Sequence, residues 1–363
     1  MKIQVTKSSL PPYRDYCKEI KSIWKTFLLT NCGPKHNELE EKMKSFLKVK
    51  NVTLFTNGHL ALENALALFD FPYGSEVITT PFTFASTTNA IVRNGLIPVF
   101  CDINFENFTI DAKQIASLIT DKTVAIVPVH VYGNVCDVET IDIIAKQHNL
   151  VVIYDAAHAF GVRYKGKDIA NFGDLSMFSF HATKVFNTIE GGALCFSNDL
   201  YEGKLRALRN FGIADEDCIY FGGNAKMSEF QAAMGLCNLK YHNKCVAKRK
   251  KIVEHYRKRL NGVPGIRLSL PQSDVESNYA YFPVLFDGYK KTRDKIQKDL
   301  MNKGIFARKY FWPLTSVFKC STKLQRGNTP VALYCSENIL TLPLFTDLTL
   351  KEVDLICDII LED

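Results

Sequence analysis

Three polar side chains in four residues, His181, Thr183 and Lys184, follow an apolar run from Leu175 to Phe180 that reads as a short buried strand. Gly191-Gly192 then breaks the chain, and a second apolar run, Ala193 to Phe196, follows. A lysine delivered between two buried strands is costly unless it is paired, neutralised or used covalently. Desolvation lowers a lysine pKa, and the neutral amine is a nucleophile for Schiff-base chemistry. Lys184 therefore reads in one of two ways. It is a turn lysine in water, or it is an amine that holds a carbonyl cofactor.

Other residues at strand ends bear on that choice. Leu150 to Tyr154 reads as a strand that ends in Asp155, where a buried carboxylate needs a cationic partner. The protonated nitrogen of a pyridine ring is such a partner, and it makes the ring an electron sink. A helix N-cap is the other, lesser reading of Asp155. Gly58-His59 stands at a strand-to-helix turn, where backbone amides and a helix N-terminus can hold a phosphate, or where the chain simply turns. Ser179, five residues before Lys184, could add a hydroxyl to the same phosphate. Taken together, Lys184, Asp155, Gly58-His59 and Ser179 point to a pyridoxal phosphate site.

Competing motifs fail. Gly161 to Asp168 approaches a P-loop, but Asp168 stands where a Ser or Thr would bind magnesium, and a solvated hairpin fits better. No G-x-G-x-x-G, H-E-x-x-H or G-x-S-x-G occurs. His130, His158 and His181 are too dispersed to claim a metal site, and no metal is expected.

These residues need a scaffold, and the chain has one. Its 363 residues allow two domains, with 47% hydrophobic and 23% charged residues, as in an ordinary globular protein. The net charge of +7 is concentrated in Lys240 to Leu260, which reads as the wet face of a long helix. A nucleic-acid binder built on that run is the rival from another class, but no aromatic interleaving accompanies it. Eleven cysteines without a C-x-x-C pair suit reduced thiols. With no apolar leader and no apolar stretch of membrane length, a cytoplasmic location is expected.

Short apolar runs alternate with helix-length segments. Strands are predicted at Val52 to Thr56, Glu76 to Thr80, Ile97 to Cys101, Val124 to Val129 and Leu150 to Tyr154. Helices are predicted at Tyr13 to Leu29, His36 to Lys48, Leu60 to Phe69, Phe84 to Arg93, Asp111 to Ile119 and Val138 to Gln147. This alternation argues for a parallel sheet covered on both faces, with ligands beyond the carboxyl ends of its strands. A long helical pattern spans Ser228 to Leu260, and Asn261-Gly262-Val263-Pro264-Gly265 marks a boundary. Beyond it a smaller α/β unit is expected, with strands at Ala280 to Phe286 and Ile305 to Tyr310 and helices at Thr292 to Asn302, Thr329 to Glu337 and Thr349 to Leu361.

From about Leu10 onwards the chain resembles the DegT/DnrJ/EryC1 nucleotide-sugar aminotransferases. The resemblance rests on Thr80-Pro81-Phe82-Thr83-Phe84, on Tyr154 to Gly161, on Ser179-Phe180-His181-Ala182-Thr183-Lys184, on Glu190-Gly191-Gly192-Ala193 and on Gly223 to Glu229. It implies the aspartate aminotransferase (type I) fold: a large domain over 1–261 with a mostly parallel seven-stranded sheet, and a smaller C-terminal α/β domain over 262–363. It also implies pyridoxal 5'-phosphate as cofactor and a role for each matching residue. Lys184 would hold the cofactor and shuttle protons, Asp155 would pair with the pyridine nitrogen, Phe84 would stack on the ring and His158 would lie beside it. Gly58, His59 and Ser179 would hold the phosphate, and Asn224 would reach the phosphate of a neighbouring subunit in a homodimer with shared sites. Tyr310 and Phe311 fall where the family contacts the nucleotide-sugar.

This chain departs from the family at one point: the phosphate turn usually reads Gly-Thr, and here it is Gly58-His59. Some relatives replace the lysine by histidine and dehydrate their substrate, so Lys184 favours transamination. The form His181-Ala182-Thr183-Lys184 is similar to that of members acting at C4 of a 4-keto-6-deoxyhexose, and His181 is a substrate-side residue in that reading. The implied reaction moves the amino group of L-glutamate to C4 of dTDP-4-dehydro-6-deoxy-D-glucose, for O-antigen or glycoside synthesis. Action at C3, or on a GDP- or UDP-linked sugar, is the alternative. Neither nucleic acid nor membrane is an expected partner.

Overall fold

The computed structural model describes residues 2–321 and 327–362. Strands β1 (Asn51–Phe55), β2 (Glu76–Thr79), β3 (Ile97–Phe100), β4 (Thr123–Val127) and β5 (Val151–Asp155) come first in the chain. A hairpin of β6 (Arg163–Tyr164) and β7 (Lys167–Asp168) follows, then β8 (Leu175–Ser179) and β9 (Gly192–Phe196). Seven of these form one sheet in the order β1-β9-β8-β5-β4-β2-β3. Neighbours from β8 to β3 pair in parallel, and β9 alone runs against both of its partners. Strands β1, β2 and β9 are buried at every residue, because helices cover both faces of the sheet. The fold is the mostly parallel α/β arrangement that the alternating pattern predicts.

Most element boundaries lie within two residues of the sequence expectation. The N-terminal helix does not. It is broken into Tyr13–Ile20 and Ile23–Thr26, and Phe27 caps the second piece in the left-handed region. The first piece buries no side chain fully and is held at the surface by polar contacts, Tyr16 to the Phe230 carbonyl at 3.2 Å and Glu19 to Lys35 at 2.6 Å, whereas Ile23 is anchored in the core.

The C-terminal region also differs from expectation. Its sheet has three antiparallel strands, Ile266–Leu268, Phe282–Phe286 and Ile339–Leu342, with Phe282–Phe286 in the centre. The strand predicted at Ile305 to Tyr310 is absent. That segment makes only isolated bridges, from Ile305 to Ile3 and from Arg308 to Thr341. After Arg308 the chain leaves the sheet edge and carries Tyr310 and Phe311 to the mouth of the large sheet. Ile339–Leu342 was not predicted because it follows the helix Pro330–Asn338 with no turn residue between them.

The helix Glu229–Leu260 starts at a reciprocal cap between Ser228 and Gln231, as a capping-box sequence should. Its basic run is not a uniform wet face. Arg249 is buried and donates to the carbonyls of Tyr279, Ala280 and Leu344. Arg259 pairs with Asp354 and Asp358 at 2.5 and 2.6 Å, and Lys240 pairs with Glu19 at 3.2 Å. Much of the positive charge is therefore spent inside the chain. No helix among the described residues is long and apolar enough to cross a membrane.

The hairpin read at Gly161 to Asp168 is present, but Asp168 is buried in it. Its Oδ1 accepts from the Ala170 amide at 3.0 Å, while Oδ2 has no partner. Burial pushes its carboxyl up to about 7 from an ordinary 3.8. An acid whose folded pKa is raised binds its proton better in the native state, so stability falls as pH rises from about 4 through about 7. The loss is at most on the order of 4 kcal/mol. Urea titrations at pH 5 and pH 8 should show this fall, and Asp168→Asn should flatten it.

Candidate active site

The carboxyl ends of β1, β5 and β8, with the segment after β2, open onto a cavity of about 640 Å³. That size is in the range of small-molecule and cofactor sites. Gly58, His59, Phe84, Asp155, His158, Ser179, His181, Lys184, Tyr310 and Phe311 all line it. Of the residues singled out in the sequence, Asn224 alone lies outside, in an exposed stretch bridged to Asn210.

One wall is the turn between β1 and the helix Gly58–Ala67. Asn57 caps that helix by accepting from the Leu60 amide at 2.8 Å. The amides of Gly58 and His59 open the helix and have no acceptor within it. Glycine is required at 58 because a Cβ there would lie 2.9 Å from the Ser179 Cβ. Glycine at 192 is required from the other side, where a Cβ would come within 2.6 Å of the Asn57 carbonyl carbon. The turn is thus clasped between β8 and β9, and its amides and Ser179 form one cup suited to an anion.

The second wall centres on Asp155. Its Oδ2 accepts from Thr87 Oγ1 at 2.8 Å, and its Oδ1 accepts from the Ala157 amide at 3.1 Å. Thr83 Oγ1 lies 2.8 Å from Thr87 Oγ1 and fixes that hydroxyl. Every direct donor to the carboxylate is neutral. Burial pushes the Asp155 carboxyl up, and the two hydrogen bonds and the Lys184 charge only partly oppose this. His158 is held neutral: burial first, then the charges of Lys184 and Arg308, drive its pKa well down. Its Nδ1 accepts from the Tyr132 amide at 3.1 Å, which puts its ring proton on Nε2.

The third wall carries Lys184. The loop after β8 is closed by Phe180 N to Gly191 O at 2.8 Å and Thr188 N to Phe180 O at 2.9 Å. Inside it, the Lys184 amide donates to the His181 carbonyl at 2.9 Å. His181 is exposed at the rim, with Nδ1 2.8 Å from Thr183 Oγ1 and Nε2 3.5 Å from Glu190 Oε1. Phe84 lines the cavity and is 51% exposed, a flat apolar face. Opposite are Tyr310 and Phe311, both buried, and the Phe311 ring lies parallel to that of His158 at 5.9 Å.

Sequence reasoning missed two groups of note. Thr87 orients Asp155, and its signal was the pair Thr83 and Thr87, four apart across a helix start. Arg308 lines the cavity, with its guanidinium 4.2 Å from the centre of the Tyr310 ring. Its signal was a cation two residues before Tyr310.

The residues fit pyridoxal phosphate. A buried acid with only neutral donors awaits a cation at one end, a phosphate cup lies at another, and a lysine enters from the side. Among the described residues, no cluster of His, Cys, Asp or Glu is suited to a metal ion.

Comparison with known proteins agrees. The sequence profile of the DegT/DnrJ/EryC1/StrS aminotransferase family matches residues 14–361. Two relatives named dTDP-4-amino-4,6-dideoxy-D-glucose transaminase are similar over nearly the whole chain. The one from Shigella dysenteriae is 40% identical, covering 96% of this chain and 95% of its own. The one from Escherichia coli is 42% identical, covering 95% and 94%. The crystal structure of DesI with its TDP-sugar product superposes with a TM-score of 0.94 at 28% identity, covering 99% of this chain and 92% of that one. A Streptococcus pneumoniae sugar aminotransferase, solved in PLP and PMP forms, superposes at 0.89 with 26% identity, covering 97% and 96%. With Lys184, the buried Asp155 and the Gly58-His59 turn on one cavity, the chain belongs to the DegT/DnrJ/EryC1/StrS family of pyridoxal phosphate-dependent aminotransferases.

Proposed function

We propose that this chain transfers the amino group of L-glutamate to C4 of dTDP-4-dehydro-6-deoxy-D-glucose, giving dTDP-4-amino-4,6-dideoxy-D-glucose. The observation that carries the substrate is the 40% and 42% identity, over almost the full chain, to two transaminases named for that product. The observation that supports the chemistry is Lys184 and Asp155 on one cavity.

The bound cofactor supplies a carbonyl that accepts and returns an amino group, on a ring that withdraws electrons. Lys184 Nζ would hold that carbonyl and would serve as the base that moves a proton at C4 of the sugar. Asp155 keeps the pyridine nitrogen protonated. Thr87 and the Ala157 amide hold the carboxylate in place for it. Phe84 covers the ring, and neutral His158 packs beside it. The amides of Gly58 and His59 and the Ser179 hydroxyl bind the phosphate. His181, Tyr310 and Phe311 contact the nucleotide-sugar. The aromatic wall near Lys184 excludes water that would compete for its proton.

The working unit in this reading is a homodimer. Asn224 sits outside its own cavity, and the same face exposes Phe211, Ile213, Ile219 and Phe221, apolar groups that a second copy would cover. In the dimer, Asn224 contacts the phosphate bound in the partner. The domain division at 261/262 belongs to the same reading. It is supported by one core cluster drawn largely from residues after 251, apart from those that cover the large sheet. Eleven free thiols suit the cytoplasm, and O-antigen synthesis is the pathway class the product serves.

Purified protein given glutamate and dTDP-, UDP- or GDP-linked 4-keto-6-deoxy sugars should aminate the dTDP sugar fastest, with NMR placing nitrogen on C4. Turnover only on another nucleotide, or nitrogen on C3, would overturn the assignment. Lys184→Ala should still bind cofactor but lose at least about a thousandfold in kcat. Borohydride followed by peptide mapping should attach the cofactor to the peptide containing Lys184. Thr87→Val keeps the shape but removes a bond that lowers the Asp155 pKa. It should cut kcat about tenfold or more and move the acidic limb of the pH profile upward.

A further inference from the structure

At the phosphate cup, a string of polar side chains leads from the surface to the cavity wall. His59 is the second residue of the helix Gly58–Ala67. Its Nε2 lies 3.1 Å from Glu63 Oε1, one turn along the same helix. Its Nδ1 lies 2.9 Å from Ser86 Oγ, in the first turn of the helix Ala85–Arg93. Glu63 is in turn bonded by Arg93 Nε, at the far end of that second helix. His59 and Ser86 both line the cavity beside Gly58.

Bond counting limits what this string can do. A carboxylate only accepts, so the hydrogen between His59 and Glu63 sits on Nε2. Nδ1 then either accepts from the Ser86 hydroxyl or, in the doubly protonated ring, donates to its oxygen. In the second arrangement the hydroxyl hydrogen is free to turn into the cavity. An anion in the cup gains from that arrangement a hydroxyl donor held at a fixed place by His59, whose other nitrogen is tied to Glu63. Residue 59 itself has no hydroxyl to offer.

We propose that Ser86 is a phosphate ligand of this chain, its hydroxyl aimed by Arg93, Glu63 and His59 as positioning residues. The assignment rests on the cofactor reading above and adds to it a donor from a second helix. The cup then has three sources: helix-end amides, Ser179 from β8 and Ser86 from the helix that also carries Thr87. One short helix would thereby hold both ends of the cofactor, the phosphate through Ser86 and the pyridine nitrogen through Thr87 and Asp155.

The test compares pyridoxal phosphate with pyridoxal, the same aldehyde without its phosphate. Each is titrated onto the full-length protein stripped of cofactor, and binding is read from the absorbance of the bound aldehyde. Ser86→Ala is expected to weaken pyridoxal phosphate about ten- to a hundredfold and to leave pyridoxal unchanged. Alanine is the better helix former, so the helix survives the change. Ser86→Thr, which keeps a hydroxyl, should retain the preference for the phosphate form, and Glu63→Gln should lower it by a smaller factor. Ser86→Ala that binds both ligands normally, or loses both equally, overturns the assignment. Wild-type protein that takes up neither aldehyde overturns the cofactor reading and this assignment with it.

Discussion

A carboxylate buried at the end of a central strand, with no cation bonded to it, is the constraint on which the site depends. Asp155 closes β5 in the middle of the sheet and is almost wholly buried there. Its two bonds come from a threonine and an amide, and these oppose the cost of burial without cancelling it. A positive group brought against it in the cavity gains both Coulomb energy and relief from that cost. The chain is therefore built slightly against itself at one point, and a protonated heterocycle would resolve the conflict. This is the reverse of a structural ion pair, which would arrive already neutralised.

Close approach of backbone is the second requirement. Gly58 lies against Ser179 and Gly192 against Asn57, so the turn after one strand can sit on two others without a side chain between them. The reversed direction of β9 follows from this arrangement. The loop that carries Lys184 leaves the carboxyl end of β8 and must return to the same edge, and the short way back is an antiparallel neighbour. The Lys184 loop, the Gly58-His59 turn and the reversed strand are one device.

The Tyr310-Phe311 wall of the cavity is supplied from far along the chain. Asp102, just beyond β3, caps the helix Pro330–Asn338 by accepting from the amides of Val331 and Ala332 at 2.9 and 2.7 Å. Ser336 in that helix donates to the Phe311 carbonyl at 2.8 Å, and the Tyr132 hydroxyl donates to the Tyr310 carbonyl. These bonds draw the segment from Arg308 to Phe311 over the cavity. They also explain why it abandons strand pairing after Arg308: the carbonyls of Tyr310 and Phe311 are bonded to side chains of other elements.

The sequence by itself determined the local features. The alternation of short apolar runs with amphipathic segments dictates a parallel sheet, and the positions of Lys184, Asp155 and Gly58-His59 follow from strand ends, because strand ends in such sheets share an edge. Each of these signals lies within one element or its cap, so neighbouring residues carry it. Only the tertiary structure decided the rest. Thr87 meets Asp155 across 68 residues, and the Asp102 cap reaches across 229. Arg308 enters the cavity because its strand fails. Ser86 faces His59 because two helices pack side by side. Such pairings depend on how elements are turned against one another, and no periodicity in the chain records that angle.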